Sequence, residues 1–141
     1  MTAALPVRLV GQPQAATYTN THNPAGAGMS MAARRLAALA QIETNNRDNP
    51  PGTDLSRYGI SRPVWIAYTA EPVSQATNRW TAAQVASRIL RDRIATFTTT
   101  HGHPPTEQQV YLLWWRPAYC DHPSAAQSAV AQRFANLVNE P

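Results

Sequence analysis

The sequence contains no lysine: all twelve of its basic residues are arginine, against eight Asp and Glu. The formal charge of +4 and isoelectric point near 9.8 favour an acidic partner, whether nucleic acid, anionic lipid or the acidic polymers of a bacterial wall. Cysteine occurs once, as Cys120, which excludes an intrachain disulfide and leaves the redox compartment unspecified. Long apolar runs are missing too. None approaches the roughly 18 residues of a membrane span, so no span is expected. The opening "MTAALPVRLVGQPQ" has neither a basic n-region nor an apolar h-region, and as it stands is not a signal peptide. A secreted chain without its leader would read the same way.

What is present points to a globular protein. Its 141 residues suffice for one domain around a single core, and four Trp, five Tyr and two Phe supply bulky core material. Residues 1–28, rich in Thr, Asn, Pro, Gly and Ala without periodicity, read as an extended N-terminal arm, leaving 29–141 as the folded domain. From Ser30 to Glu43, Ala32, Leu36 and Leu39 fall at helical spacing, and "TNNRDNPPG" stops that helix. "RPVWIAYT" predicts a short helix with Pro63 in its first turn. Three later helices each open on a capping-box pattern, Thr81 with Gln84, Thr106 with Gln109 and Ser124 with Gln127. Their apolar stripes are Val85, Ile89, Leu90, Ile94 and Phe97, then Val110, Leu113 and Trp114, then Val130, Phe134 and Leu137. The expected fold is mainly α, a single helical domain with a short irregular or β-like segment after the first core helix.

One residue breaks the pattern. Leu36, Leu39 and Glu43 stand at i, i+3 and i+7, so the first helix carries an acid on its apolar stripe. Burial and the negative end of the helix dipole both raise the pKa of such a carboxyl, suiting it to hold a proton as a general acid. The alternative is a fraying helix end with Glu43 turned to water. Spacing alone leaves both open.

The helix ending in "QIET", the polar loop after it and "SRYGISRPVW" resemble the lysozyme-like superfamily, nearest to the bacterial transglycosylase-like and goose-type lysozyme-like domains. "QVYLLWWRP" and "AQRFANL" are similar to that family's later and terminal helices. The matches keep their order over residues 30–138. The resemblance implies a helical lobe around a sugar-binding groove and a peptidoglycan-cleaving glycosidase, muramidase or lytic transglycosylase, with Glu43 as the catalytic acid. Hydrolysis would take a water oriented by a second carboxylate, and an inverting pair stands about 6.5–9.5 Å apart. Asp54 is the candidate, whereas Asp48 reads as a turn residue. The lytic route needs no second carboxylate, because the muramic 6-hydroxyl attacks. Thr44, Arg57, Tyr58, Gly59, Ile60 and Trp115 are the substrate-binding candidates that the resemblance implies, with peptidoglycan glycan strands as partner, no cofactor and a secreted or periplasmic location.

The chain departs from the family pattern at three places. Thr44-Asn45 stands where Ser-Gly is usual, Gly59 replaces a Gln, and Trp115 stands where Asn is expected. A wall-binding protein that has lost catalysis is therefore the alternative.

Among the aromatics, Trp114 belongs to the buried stripe, Tyr111 to core or rim, and Trp115 and Tyr58 to the groove. Arg57 and Arg62, flanking "YGIS", are placed to meet wall carboxylates, or are solvated surface arginines. "HGH" at 101–103 and "CDH" at 120–122 invite a zinc reading through His101, His103, Cys120 and His122. A helix of about ten residues between them, roughly 15 Å long, argues against convergence within about 2.0–2.3 Å of one ion, so no metal is expected. The arginines are scattered and no nucleic-acid-binding motif appears, which ranks nucleic acid below the wall.

Overall fold

The computed structural model describes residues 28–140. The arm expected over residues 1–28 lies, save for its last residue, outside the described residues. Helix α1, Met31–Thr44, is mostly Ala, Leu, Gln, Met and Arg, all good helix formers. It stops where Asn45 and Asn46 take left-handed φ angles of 54° and 66°, a conformation asparagine tolerates better than most residues. The Asn46 N–H reaches back to the Ala40 carbonyl at 3.0 Å, closing the helix end.

Residues 45–61 contain the β-like segment. A single antiparallel bridge joins Leu55 to Ile60, with paired N–H···O bonds of 2.7 and 2.8 Å. The turn between them needs left-handed backbone at Ser56 and Gly59, and the buried Ser56 hydroxyl accepts the Tyr58 N–H at 3.0 Å. Helix α2, Arg62–Tyr68, follows with Pro63 in its first turn, where a missing N–H costs nothing. It drives Trp65 fully into the core, and the indole N–H finds the Glu71 carbonyl at 2.9 Å.

A 3-10 turn, Val73–Thr77, leads to the longest helix, α3, Arg79–His101. Its start differs from the expectation at Thr81. Asn78 is the cap, and its side chain accepts the Thr81 N–H at 3.0 Å. Asparagine caps at least as well as threonine, and its position gains most of a turn of helix. Gly102, at φ 79°, ends α3 in a left-handed cap.

Helix α4, Glu107–Trp115, and helix α5, Ala125–Asn139, both carry the expected capping boxes, on Thr106 with Gln109 and on Ser124 with Gln127. All of Val110 to Trp114 is buried, so α4 is enclosed on every side rather than along one stripe. It packs between α3 and α5, while α1 packs on α3 and α5. In α5 the core face is Ala131, Phe134, Ala135 and Val138, turned one position from the expected stripe; Val130 and Leu137 are half-buried. Arg35 of α1 clamps Glu107 at the start of α4 through two bonds of 2.9 and 2.8 Å. These elements form one mainly-α unit over residues 31–140. No helix among the described residues is long and apolar enough to cross a membrane.

After α4, Pro117 forbids helix continuation and opens a short 3-10 turn, Pro117–Tyr119. The chain then doubles back along α4, bringing the Cys120 thiol to 3.9 Å from the Gln109 carbonyl. This corrects the helix-length argument made for the two His/Cys clusters. They are not held apart: His101 Nε2 stands 3.4 Å from Asp121 Oδ1, and the His101 ring stacks on Phe97.

Candidate functional site

Glu43 sits in the last turn of α1, half-buried, between two hollows of the surface. Its Oε2 accepts a 2.9 Å hydrogen bond from the Tyr111 hydroxyl, which rises from the middle of α4. On the other side lies Gly59. A Cβ there would stand 3.3 Å from both Cβ and Oε1 of Glu43, so the close approach of turn and acid favours a glycine, as does the φ of 65°. Burial is the main influence on the carboxyl and raises its pKa. The Tyr111 hydrogen bond opposes this, and the charge of Asp54 adds to it. Tyr111 itself is pushed far up, by burial first and then by Glu43, so it remains a donor. With Oε2 accepting from Tyr111, Oε1 is the carboxyl oxygen left beside Gly59 in the cleft.

The larger hollow is a cleft of about 600 Å³. Its lining includes Glu43, Asp54, Gly59 and Ile60 together with Trp114, Trp115 and Tyr119. Trp115 and Tyr119 stand with ring centres 6.3 Å apart at the rim, and the Arg116 guanidinium lies over the Trp115 ring at 5.1 Å. Arg93 of α3 reaches the same cleft while donating to the Leu113 and Trp114 carbonyls at 3.1 and 2.7 Å, which satisfies two carbonyls at the end of α4. An acid able to hold its proton, a second carboxylate and flat aromatic faces thus share one groove. Such a set can protonate an oxygen of a bound ligand and stack against its rings.

The expected site residues divide into two groups. Glu43, Asp54, Gly59, Ile60 and Trp115 meet at the cleft. Thr44 does not: it lines the smaller hollow instead, and its hydroxyl donates to the Arg57 carbonyl at 2.7 Å and accepts the Arg47 N–H, tying the helix end to the turn. Arg57 is turned away as well, bonding to the Asn46 carbonyl at 3.2 Å with Asp48 at 3.7 Å. Tyr58 is core rather than groove, only 7% exposed, because the Ser56 turn points it inward. Asp48 has the turn role expected of it, bridging Arg57 and Arg79. Trp114 is buried as expected, yet still contributes to the cleft wall.

Three participants were not among the expected site residues. Tyr111 was legible only as core or rim, although a buried tyrosine generally needs a partner for its hydroxyl. Arg93 lies outside every motif and Arg116 had no role assigned within "QVYLLWWRP"; they come to the cleft through the packing of α3 on α4 and the fold-back at Pro117. Among the described residues, no three His, Cys, Asp or Glu side chains gather where they could hold a metal ion. No family model, curated protein or solved structure matches the chain.

Proposed function

We propose that this chain is a glycosidase of the lysozyme type acting on peptidoglycan, with Glu43 as its general acid. The observation that carries this reading is the setting of Glu43: desolvated, fixed at Oε2 by Tyr111, and beside a glycine in the wall of an aromatic-lined cleft. In this reaction the Glu43 proton passes to the glycosidic oxygen as the C1–O bond breaks. Charge develops on the sugar ring, and the ionised Glu43 with nearby Asp54 offsets it. A water, or the muramic 6-hydroxyl, then closes C1 and returns a proton to Glu43. Trp115 and Tyr119 suit stacking on pyranose faces.

The deciding experiment is mass spectrometry of soluble muropeptides released from purified sacculi by wild type and by Glu43→Gln. Products from wild type alone support the proposal, and their masses separate hydrolysis from anhydro-sugar formation. Sedimentation with sacculi and no products from either protein would instead make this a wall-binding protein without catalysis.

A further inference from the structure

Glu43 is the one residue that lines both hollows. The second, about 420 Å³, lies beyond the end of α1 and includes Arg47 from the loop and Arg133 from α5. Glu43 is its only acid. On the cleft side stand Arg93 and Arg116. None of these four arginines has a carboxylate within ion-pair distance among the described residues. Arg35, Arg57 and Arg79, in contrast, are all paired with Glu107 or Asp48. A pair of uncompensated guanidiniums thus flanks Glu43 on each side. The groups that act on Glu43 itself are Tyr111, Gly59 and Asp54, and none of these cations is among them.

From this arrangement we infer that the ligand is a carboxylate-bearing glycan strand that crosses Glu43 from one hollow to the other, its acidic groups met by Arg47 and Arg133 on one side and Arg93 and Arg116 on the other. The inference rests on the glycan reading of the site and specifies its substrate class. A guanidinium offers planar, forked donors suited to carboxylates, and Arg116 does so while stacked on Trp115. Neutral chains of the chitin type have nothing for these groups to meet. The carboxylates have two sources in a wall polymer, the lactyl groups of sugars that carry no stem peptide and the stem peptides themselves.

The test measures sedimentation with sacculi in the Glu43→Gln background, so that binding is read without turnover. Arg47→Gln, Arg133→Gln and Arg116→Gln are compared with Arg91→Gln, an exposed arginine outside both hollows. Arg93 is left intact because its substitution would uncap α4. Each groove substitution is expected to weaken binding about two- to fivefold at low salt, the range of an exposed ion pair, and the differences should shrink at high salt. Arg91→Gln should bind as the parent does. Amidating the sacculus carboxyls should abolish the differences. Removing the stem peptides would unmask a lactyl carboxylate on each sugar and dissolve the network, so the two sources are separated by competition. Displacement by soluble stem peptide assigns the contacts to peptide carboxylates, displacement by peptide-free glycan strands assigns them to lactyl groups, and both outcomes support the inference. Equal losses from Arg91→Gln, equal losses on amidated sacculi, or tighter binding to duplex DNA than to sacculi would overturn it. Cleavage by wild type with arginine-independent binding defeats this inference alone, whereas arginine-dependent binding without any cleavage keeps it and removes the glycosidase reading.

Discussion

The Tyr111 hydroxyl donates a 2.9 Å hydrogen bond to Oε2 of Glu43, joining the buried middle of α4 to the exit of α1. The bond does two things at once. It gives a half-buried carboxyl oxygen a donor, and it pulls the Glu43 pKa back down against that burial. Tyr111→Phe keeps the ring packing against Phe134 and removes only the donor. Stability should fall by about 1–2 kcal/mol, because a half-buried carboxyl oxygen loses its donor. If the chain is a glycosidase, the alkaline limb of its pH–rate profile should move upward, because the acid now holds its proton to higher pH. Urea titration and a pH series of muropeptide release check the two halves separately.

Glu43→Gln carries a sign that distinguishes burial from exposure. The folded carboxyl binds its proton more tightly than the unfolded one, so its contribution to stability is most favourable below the ordinary value of 4.5 and declines as pH rises through the raised folded value. A glutamine neither titrates nor resists burial as a charge, and its amide oxygen still accepts from Tyr111. The variant should therefore match wild type near pH 4 and exceed it in melting temperature at pH 7 and above. Equal melting temperatures across this range would mean that Glu43 is solvated. Cleavage should drop about 10²- to 10⁴-fold, the usual worth of a general acid.

The helices were legible because their signals are local. Capping boxes at Thr106 and Ser124 and the proline in α2 act within one turn, so sequence spacing is enough to place them. Tyr58 and Tyr111 show what is not local. Both are tyrosines near the apolar stripes, yet the groove expected of Tyr58 went unfilled because a left-handed Ser56, invisible to periodicity, turns the ring inward. Tyr111 reaches Glu43 only because α4 is enclosed on all sides, a property of the assembled bundle. The return of residues 116–121 along α4 likewise depends on tertiary packing after Pro117. It brought His101 to Asp121, where helix length alone had separated them.

The start of α3 offers a stability test of local reasoning. Asn78 holds the Thr81 N–H, and the Thr81 side chain has no part in the cap. Asn78→Ala should cost about 1 kcal/mol, with a corresponding loss in the urea midpoint. Thr81→Ala should stay within about 0.5 kcal/mol of wild type. The reverse order would restore the helix start to Thr81.

Gly59 is the position where backbone strain and side-chain crowding can be separated. Any Cβ there meets Glu43 at 3.3 Å, and any residue but glycine must accept a φ of 65°. Alanine suffers both, with about 1–2 kcal/mol from the left-handed backbone alone. Asparagine visits that backbone region more readily, but brings the same Cβ against the acid. Gly59→Asn should thus regain part of the stability that Gly59→Ala loses, while both displace the Glu43 carboxyl. If that carboxyl is the catalytic acid, both variants should lose at least about tenfold in muropeptide release, since misplacing a reacting group by a fraction of an ångström is that costly. Activity that recovers together with stability in Gly59→Asn would show that the glycine serves the turn and not the acid.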